Sequence, residues 1–173
     1  MSLYKNKIGI LGGSFDPAHK GHLTITKIAK KKLQLNKIIW AITKKNPFKN
    51  KSRNSITNRI NYCKKIIGKN TFIKVRFYEN LVKSNKTIDL INYLKRNKKN
   101  DIYFLMGADN LIKFHKWHKW RLISKKCKII VFDRQGYKKK SLNSVTFKKL
   151  SKENLKFFEY DKVNISSSQL RKI

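Results

Sequence analysis

Several short runs in this chain have unbroken apolar centres, and that constrains its fold more than any other feature. They are "KIGIL" (Lys7 to Leu11), "KIIWAIT" (Lys37 to Thr43), "DIYFLMG" (Asp101 to Gly107) and "CKIIVFDR" (Cys127 to Arg134). A strand with no polar face must be covered on both sides, which is the habit of parallel sheets. Helical patterns alternate with these runs: His22 to Leu33, Ile56 to Ile67 with Gly68 as its stop, and Thr87 to Asn97 with Thr87 as a candidate cap. "NLIKFHKWHKWRLISKK" is also helical, with His115 as the candidate break. "TFIKVRFY" (Thr71 to Tyr78) and "LKFFEYD" (Leu155 to Asp161) read as two more strands, and "SSSQLRKI" opens a last helix. The alternation predicts an α/β fold: a doubly wound parallel sheet with helices on both faces. No repeat or linker interrupts the 173 residues, so one domain is expected over 1–173. "YKKKSLNSVTFKKLSKEN" (Tyr137 to Asn154) fits no element and is expected to be an irregular excursion.

Open α/β sheets bind ligands beyond the carboxyl ends of their strands. The first strand is expected to end at Leu11, followed by Gly12 and Gly13, where a side chain would keep a phosphate from backbone N–H groups. Gly21 and His22 then open a helix whose N-terminus favours anions. His19 and His22, three apart at that entrance, can face one spot and hold phosphate oxygens. Each part has a plainer reading. Two glycines after a strand are common, and one histidine can be structural. His-x-x-His is also half a zinc site, but no nearby cysteine or carboxylate pair completes four ligands. The conjunction is far more specific than its parts.

Forty-three Lys and Arg stand against nine Asp and Glu, a formal charge of +34. Such a charge suits a nucleic-acid surface. It also suits compositional bias, and the lysines are spread along the chain rather than gathered in one tail or stripe. Bias is the better reading, with attraction of small polyanions as a by-product and no specific nucleic-acid partner expected. A content of 40% hydrophobic residues argues for a folded chain. No run of about 18 apolar residues offers a membrane span, and the N-terminus enters a strand without a leader-like segment, so the expected location is the cytoplasm. Cys63 and Cys127 are expected to be core residues rather than a disulfide or metal pair.

"GGSFDPAHKGH" (Gly12 to His22) resembles the signature of the HxGH nucleotidyltransferase superfamily. It is most similar to the "GGTFDPxHxGH" of bacterial nicotinate-nucleotide adenylyltransferases, with Ser14 keeping the hydroxyl of the common threonine. "NPFK" (Asn46 to Lys49), "KTIDL" (Lys86 to Leu90), "GADNLIKFHKWHKW" (Gly107 to Trp120) and "NISSSQLR" (Asn164 to Arg171) resemble further family segments in order, so the likeness spans nearly the whole chain. It implies a three-layer, Rossmann-like sheet and the transfer of an adenylyl group from ATP to nicotinate mononucleotide, giving deamido-NAD and pyrophosphate. Mg²⁺ is implied as a bridge between ATP phosphates, without a dedicated protein site.

His19 and His22 carry over as the catalytic pair. Gly12, Gly13, Ser14 and Phe15 carry over as the nucleotide cradle, and Ile165, Ser166, Ser167, Ser168 and Arg171 as further ATP contacts. On the mononucleotide side the likeness implies Trp117 against the pyridine ring, Thr87 near its carboxylate, and Gly107 and Asp109 near the ribose. Lys44, Lys49 and Arg134 are basic loop positions placed to meet phosphate. Asp16 is expected to fix the turn rather than act as a base. The competing readings are a solvated charge for each lysine, core packing for Trp117 or Trp120, and a simple serine cap for the last helix. The alternative acceptors are nicotinamide mononucleotide and phosphopantetheine. A nucleic-acid-binding module is the reading from another class.

Overall fold

The computed structural model describes residues 5–46, 48 and 51–160. Strands β1 (Asn6–Gly13), β2 (Lys37–Ile42), β3 (Ile73–Arg76), β4 (Asn100–Gly107), β5 (Lys128–Phe132) and β6 (Leu155–Phe158) form one sheet. Their order is β3-β2-β1-β4-β5-β6, and every neighbouring pair is parallel. The sequence order reverses between β1 and β4, which opens a crevice at their carboxyl ends.

Alternate residues of each strand enter different cores. In β2, Ile38, Trp40 and Ile42 join one cluster, while Ile39 and Ala41 join the other. The first cluster lies under α1 (Lys20–Leu33) and α2 (Ile56–Ile67), through Ile25, Ala29, Leu33, Cys63 and Ile67. The second lies under α4 (Thr87–Leu94), α5 (Ala108–Phe114) and α6 (Trp120–Lys126), which contribute Ile88, Ile91, Leu111, Phe114 and Ile123. The result is the expected three-layer sandwich. Cys63 lies in the first core and Cys127 in the second; both thiols are free, and burial pushes each up to about 12.

Several boundaries differ from the sequence reading, each for a local reason. β1 does not stop at Leu11: Gly12 and Gly13 continue it, in register with Ala41 and Ile42. α1 begins at Lys20 rather than His22, because His19 is its cap. Thr87 is the first residue of α4 rather than its cap; Lys86 holds the cap position without a side-chain bond. The short helix α3 (Glu79–Val82) was not expected, and β3 ends before it at Arg76 rather than Tyr78. The break at His115 is real: α5 ends there, and Lys119, at φ 52°, starts α6. The stretch 137–154 is not wholly irregular. It holds two one-turn helices, α7 (Lys138–Leu142) and α8 (Val145–Lys149). Ser144 caps α8 by accepting from the Phe147 N–H at 3.1 Å, and the Thr146 hydroxyl docks it by accepting from the His115 N–H at 3.1 Å. The expected last helix lies outside the described residues. Among the described residues, no helix is long and apolar enough to cross a membrane.

Candidate active site

The β1–α1 connection is tightly determined. Phe15 has a φ of 48°, a conformation that L-residues with side chains adopt at a cost. Its ring is buried and stacks on Trp40, with centroids 5.0 Å apart and planes at 12°. The Trp40 indole N–H donates to the Thr26 hydroxyl at 2.9 Å, and that hydroxyl donates to the His22 carbonyl at 2.7 Å. A buried aromatic stack thus holds the start of α1 beside the exit of β1.

The two histidines form a reciprocal cap. His19 Nδ1 accepts from the Gly21 N–H at 3.1 Å, and His22 Nδ1 accepts from the His19 N–H at 3.2 Å. This is a capping box built from imidazoles instead of Ser and Glu. Their centroids are 3.9 Å apart. With each Nδ1 used as an acceptor, Nε2 carries the proton and is the donor of each ring. The pair can therefore present two N–H donors at a helix N-terminus.

Asp16 is fully buried and accepts from the Arg53 N–H and the Asn54 carboxamide, both at 2.6 Å. Burial alone would lift its pKa. The bonds from Asn54 and Arg53 and the Arg59 charge together outweigh that and hold the carboxyl below its ordinary value. Its role in the fold is to tie residues 53 and 54 to the β1–α1 loop.

Beside this loop opens a cavity of about 640 Å³, walled by the ends of β1 and β2 and by residues around α3, α4 and α6. Gly12, Gly13, Thr87 and Trp117 line it. A Cβ on Gly12 or Gly13 would come no nearer than 3.5 Å to any neighbouring protein atom, so packing does not demand glycine there. Bare backbone at these positions leaves room in the cavity itself. The Trp117 indole packs edge-on to Phe104 and Phe114, at 5.8 and 5.2 Å, and its buried Nε1 has no partner among the described residues. Trp120 packs on Phe114 outside the cavity.

Lys44 is not in the cavity wall. Its N–H is tied to Glu79 Oε1 at 3.0 Å, and the neighbouring Lys45 lines the wall instead. Lys86, Lys116 and His118 also line it. Sequence reasoning assigned none of these a role; the clue was a position within or beside the family-like segments. Asp109 and Arg134 meet each other at the ends of β4 and β5 as an ion pair outside the cavity wall. A Cβ at Gly107 would lie 2.6 Å from Asp109 Oδ1, so a side chain there would push that carboxylate aside. Ile165, Ser166, Ser167, Ser168 and Arg171 lie outside the described residues, as does Lys49. Among the described residues, no three His, Cys, Asp or Glu side chains converge to hold a metal ion.

A family model described as cytidylyltransferase-like matches residues 10–173. A Pelagibacter ubique protein named "Probable nicotinate-nucleotide adenylyltransferase" is 69% identical over 98% of this chain and 94% of its own length. The chain belongs to the cytidylyltransferase-like family, among its nicotinate-nucleotide adenylyltransferases. A Bradyrhizobium protein of the same name is 34% identical over 84% of this chain and 77% of its own. The fold of the adenylyltransferase also matches a solved one. The Plasmodium falciparum nicotinic acid mononucleotide adenylyltransferase, complexed with NaAD, superposes with a TM-score of 0.77 at 22% identity. That match covers 96% of this chain and 83% of the other.

Proposed function

We propose that this adenylyltransferase transfers the adenylyl group of ATP to nicotinate mononucleotide, releasing pyrophosphate and forming deamido-NAD, a step of NAD biosynthesis. The reading rests above all on one juxtaposition: an imidazole pair at a helix N-terminus beside a cavity walled by bare backbone, lysines and a tryptophan. The mononucleotide phosphate oxygen attacks the α-phosphorus of ATP. A new P–O bond forms there, and the bond to the departing pyrophosphate breaks. The substrate is its own nucleophile, so the protein's work is positioning and charge neutralisation. His19 and His22 donate from Nε2 to phosphate oxygens. Gly12, Gly13, Ser14 and Phe15 cradle the nucleotide, with Ile165, Ser166, Ser167, Ser168 and Arg171 as its further contacts. Thr87 and Trp117 take the pyridine end, with Lys45 and Lys86 as cations close by. Gly107, Asp109 and Arg134 serve the mononucleotide from the rim, and the whole acts as one domain.

The donor set suits magnesium only as a companion of the substrate. A hard cation wants clustered carboxylates and other oxygens, and among the described residues Glu79 is the one carboxylate in the cavity wall, beside Lys45, Lys86 and Lys116. Mg²⁺, held by the ATP phosphates, would lower the charge that the attacking phosphate must approach. The cytoplasm, where ATP is plentiful, is the proposed location.

Pyrophosphate release with ATP and Mg²⁺ tests this, comparing nicotinate mononucleotide, nicotinamide mononucleotide and phosphopantetheine as acceptors. Product with the nicotinate substrate, well above the other two, is expected. Release only with phosphopantetheine, or none with any acceptor, overturns the reading. His22→Ala should reduce turnover by at least ~10²-fold, as for loss of one transition-state donor.

A further inference from the structure

α2 turns its inner stripe, Arg59, Cys63 and Ile67, into the first core. Arg59 is therefore an anomaly: it is 3% exposed at a position where the helix period calls for an apolar side chain. Its Nη1 donates to two carbonyls, Ser14 O at 2.7 Å and Thr43 O at 2.8 Å. Those carbonyls stand one residue past the ends of β1 and β2. The Thr43 N–H also donates to Gly13 O at 2.9 Å, the last tie between the two strands before their chains part. Beyond it, one chain goes to the imidazole pair and the other to the cavity wall at Lys45.

A trans peptide points its carbonyl and its N–H in opposite directions. When Arg59 draws the Ser14 carbonyl inward, it turns the Phe15 N–H outward, away from the core. The Thr43–Lys44 peptide behaves the same way: its carbonyl goes to Arg59, and its N–H goes to Glu79. The bond to Ser14 O fixes the peptide plane that precedes Phe15, whose φ is 48°. Burial works against the guanidinium charge, Asp16 and Glu79 favour it through space, and among the described residues its buried Nε has no partner. A buried guanidinium is a poor choice for packing alone.

We propose that Arg59 is a positioning residue, one guanidinium nitrogen that fixes the phosphate cradle and the mononucleotide pocket in register and aims the Phe15 N–H at the triphosphate. The inference rests on the functional reading above for the identity of the second substrate, and not for the geometry.

Three variants test it: Arg59→Met keeps the apolar stem without a donor, Arg59→Lys keeps one nitrogen donor, and Cys63→Ala disturbs the same helix stripe by packing alone. Arg59→Met is expected to melt lower than the wild type, because the Ser14 and Thr43 carbonyls lose their donor and Asp16 loses a nearby cation. It is expected to lose about 10²-fold in kcat/KM for ATP. Arg59→Lys should recover most of that loss, and Cys63→Ala should melt lower with kcat unchanged. Where Arg59→Met does not fold, Arg59→Gln, whose single short amide cannot span both carbonyls, takes its place with the same expected loss. Wild-type kcat/KM in the donorless variant overturns the proposal, as does activity that merely follows the melting temperature across all variants. Calorimetric binding of ATP alone, expected to weaken about tenfold in Arg59→Met, needs no acceptor. Wild type that binds ATP but makes no product with nicotinate mononucleotide would sink the functional reading, and this binding arm would still decide the role of Arg59.

Discussion

Replacing His19 by asparagine separates the structural part of that ring from the chemical part. Asparagine is a strong N-cap, so His19→Asn should melt like the wild type, while His19→Ala should lose about 1 kcal/mol. Both should lose at least ~10²-fold in turnover if the Nε2 donor matters to the reaction. Thermal melts and pyrophosphate release on the same samples check this, and full activity in the asparagine variant would remove His19 from the chemistry. Asp16 offers a test of a different kind. Its carboxyl is held below its ordinary value of 3.8, so its contribution to stability is complete above that value. The contribution fades as pH falls through the lower folded value. Asp16→Asn should therefore be less stable at neutral pH, and the gap should close below about pH 4. Urea midpoints measured across that range show whether it does.

Two glycines on neighbouring strands are expected to fail differently. On β1, a Cβ at Gly9 would lie 2.9 Å from Leu35 Cδ1 and 3.0 Å from Ile38 Cγ1, inside the core. Gly9→Ala should cost about 1–3 kcal/mol in a chemical denaturation series, with kcat unchanged in the folded fraction. At the end of β4, Gly107→Ala would instead displace the Asp109 carboxylate from Arg134. That pair is partly solvated, so the stability loss should stay within about 1 kcal/mol, while KM for the mononucleotide rises. The elements were legible where periodicity was strong. α2 runs from Ile56 to Ile67 with Gly68 past its end, as its apolar spacing and the glycine imply. Legibility failed where a partner outside the element decides the outcome. Gly12 and Gly13 look like loop but are strand because Ala41 and Ile42 pair with them. Nothing local in the sequence shows that Arg59 is buried, since its acceptors lie 45 and 16 residues away. The imidazole pair was visible as a motif, but its use as a helix cap was not, because histidine is not a customary capping residue.

Charge acts on the molecule as a whole. The first 78 residues contain one acidic side chain, Asp16, and it is buried, so the layer of α1 and α2 meets solvent with cations alone. Self-repulsion on that scale should be relieved by salt: the melting temperature should rise as NaCl goes from about 0.05 to about 0.5 M. A flat response would mean that the lysines are too dispersed to oppose folding. The two buried thiols extend what such measurements can reveal. An alkylating reagent attacks thiolate, and a thiol raised to about 12 and sealed in a core offers almost none. Each cysteine should stay unmodified until the side of the sheet it lies on comes open. Counting labels over time, site by site, would clock the two halves of the sandwich separately and show which lets go first.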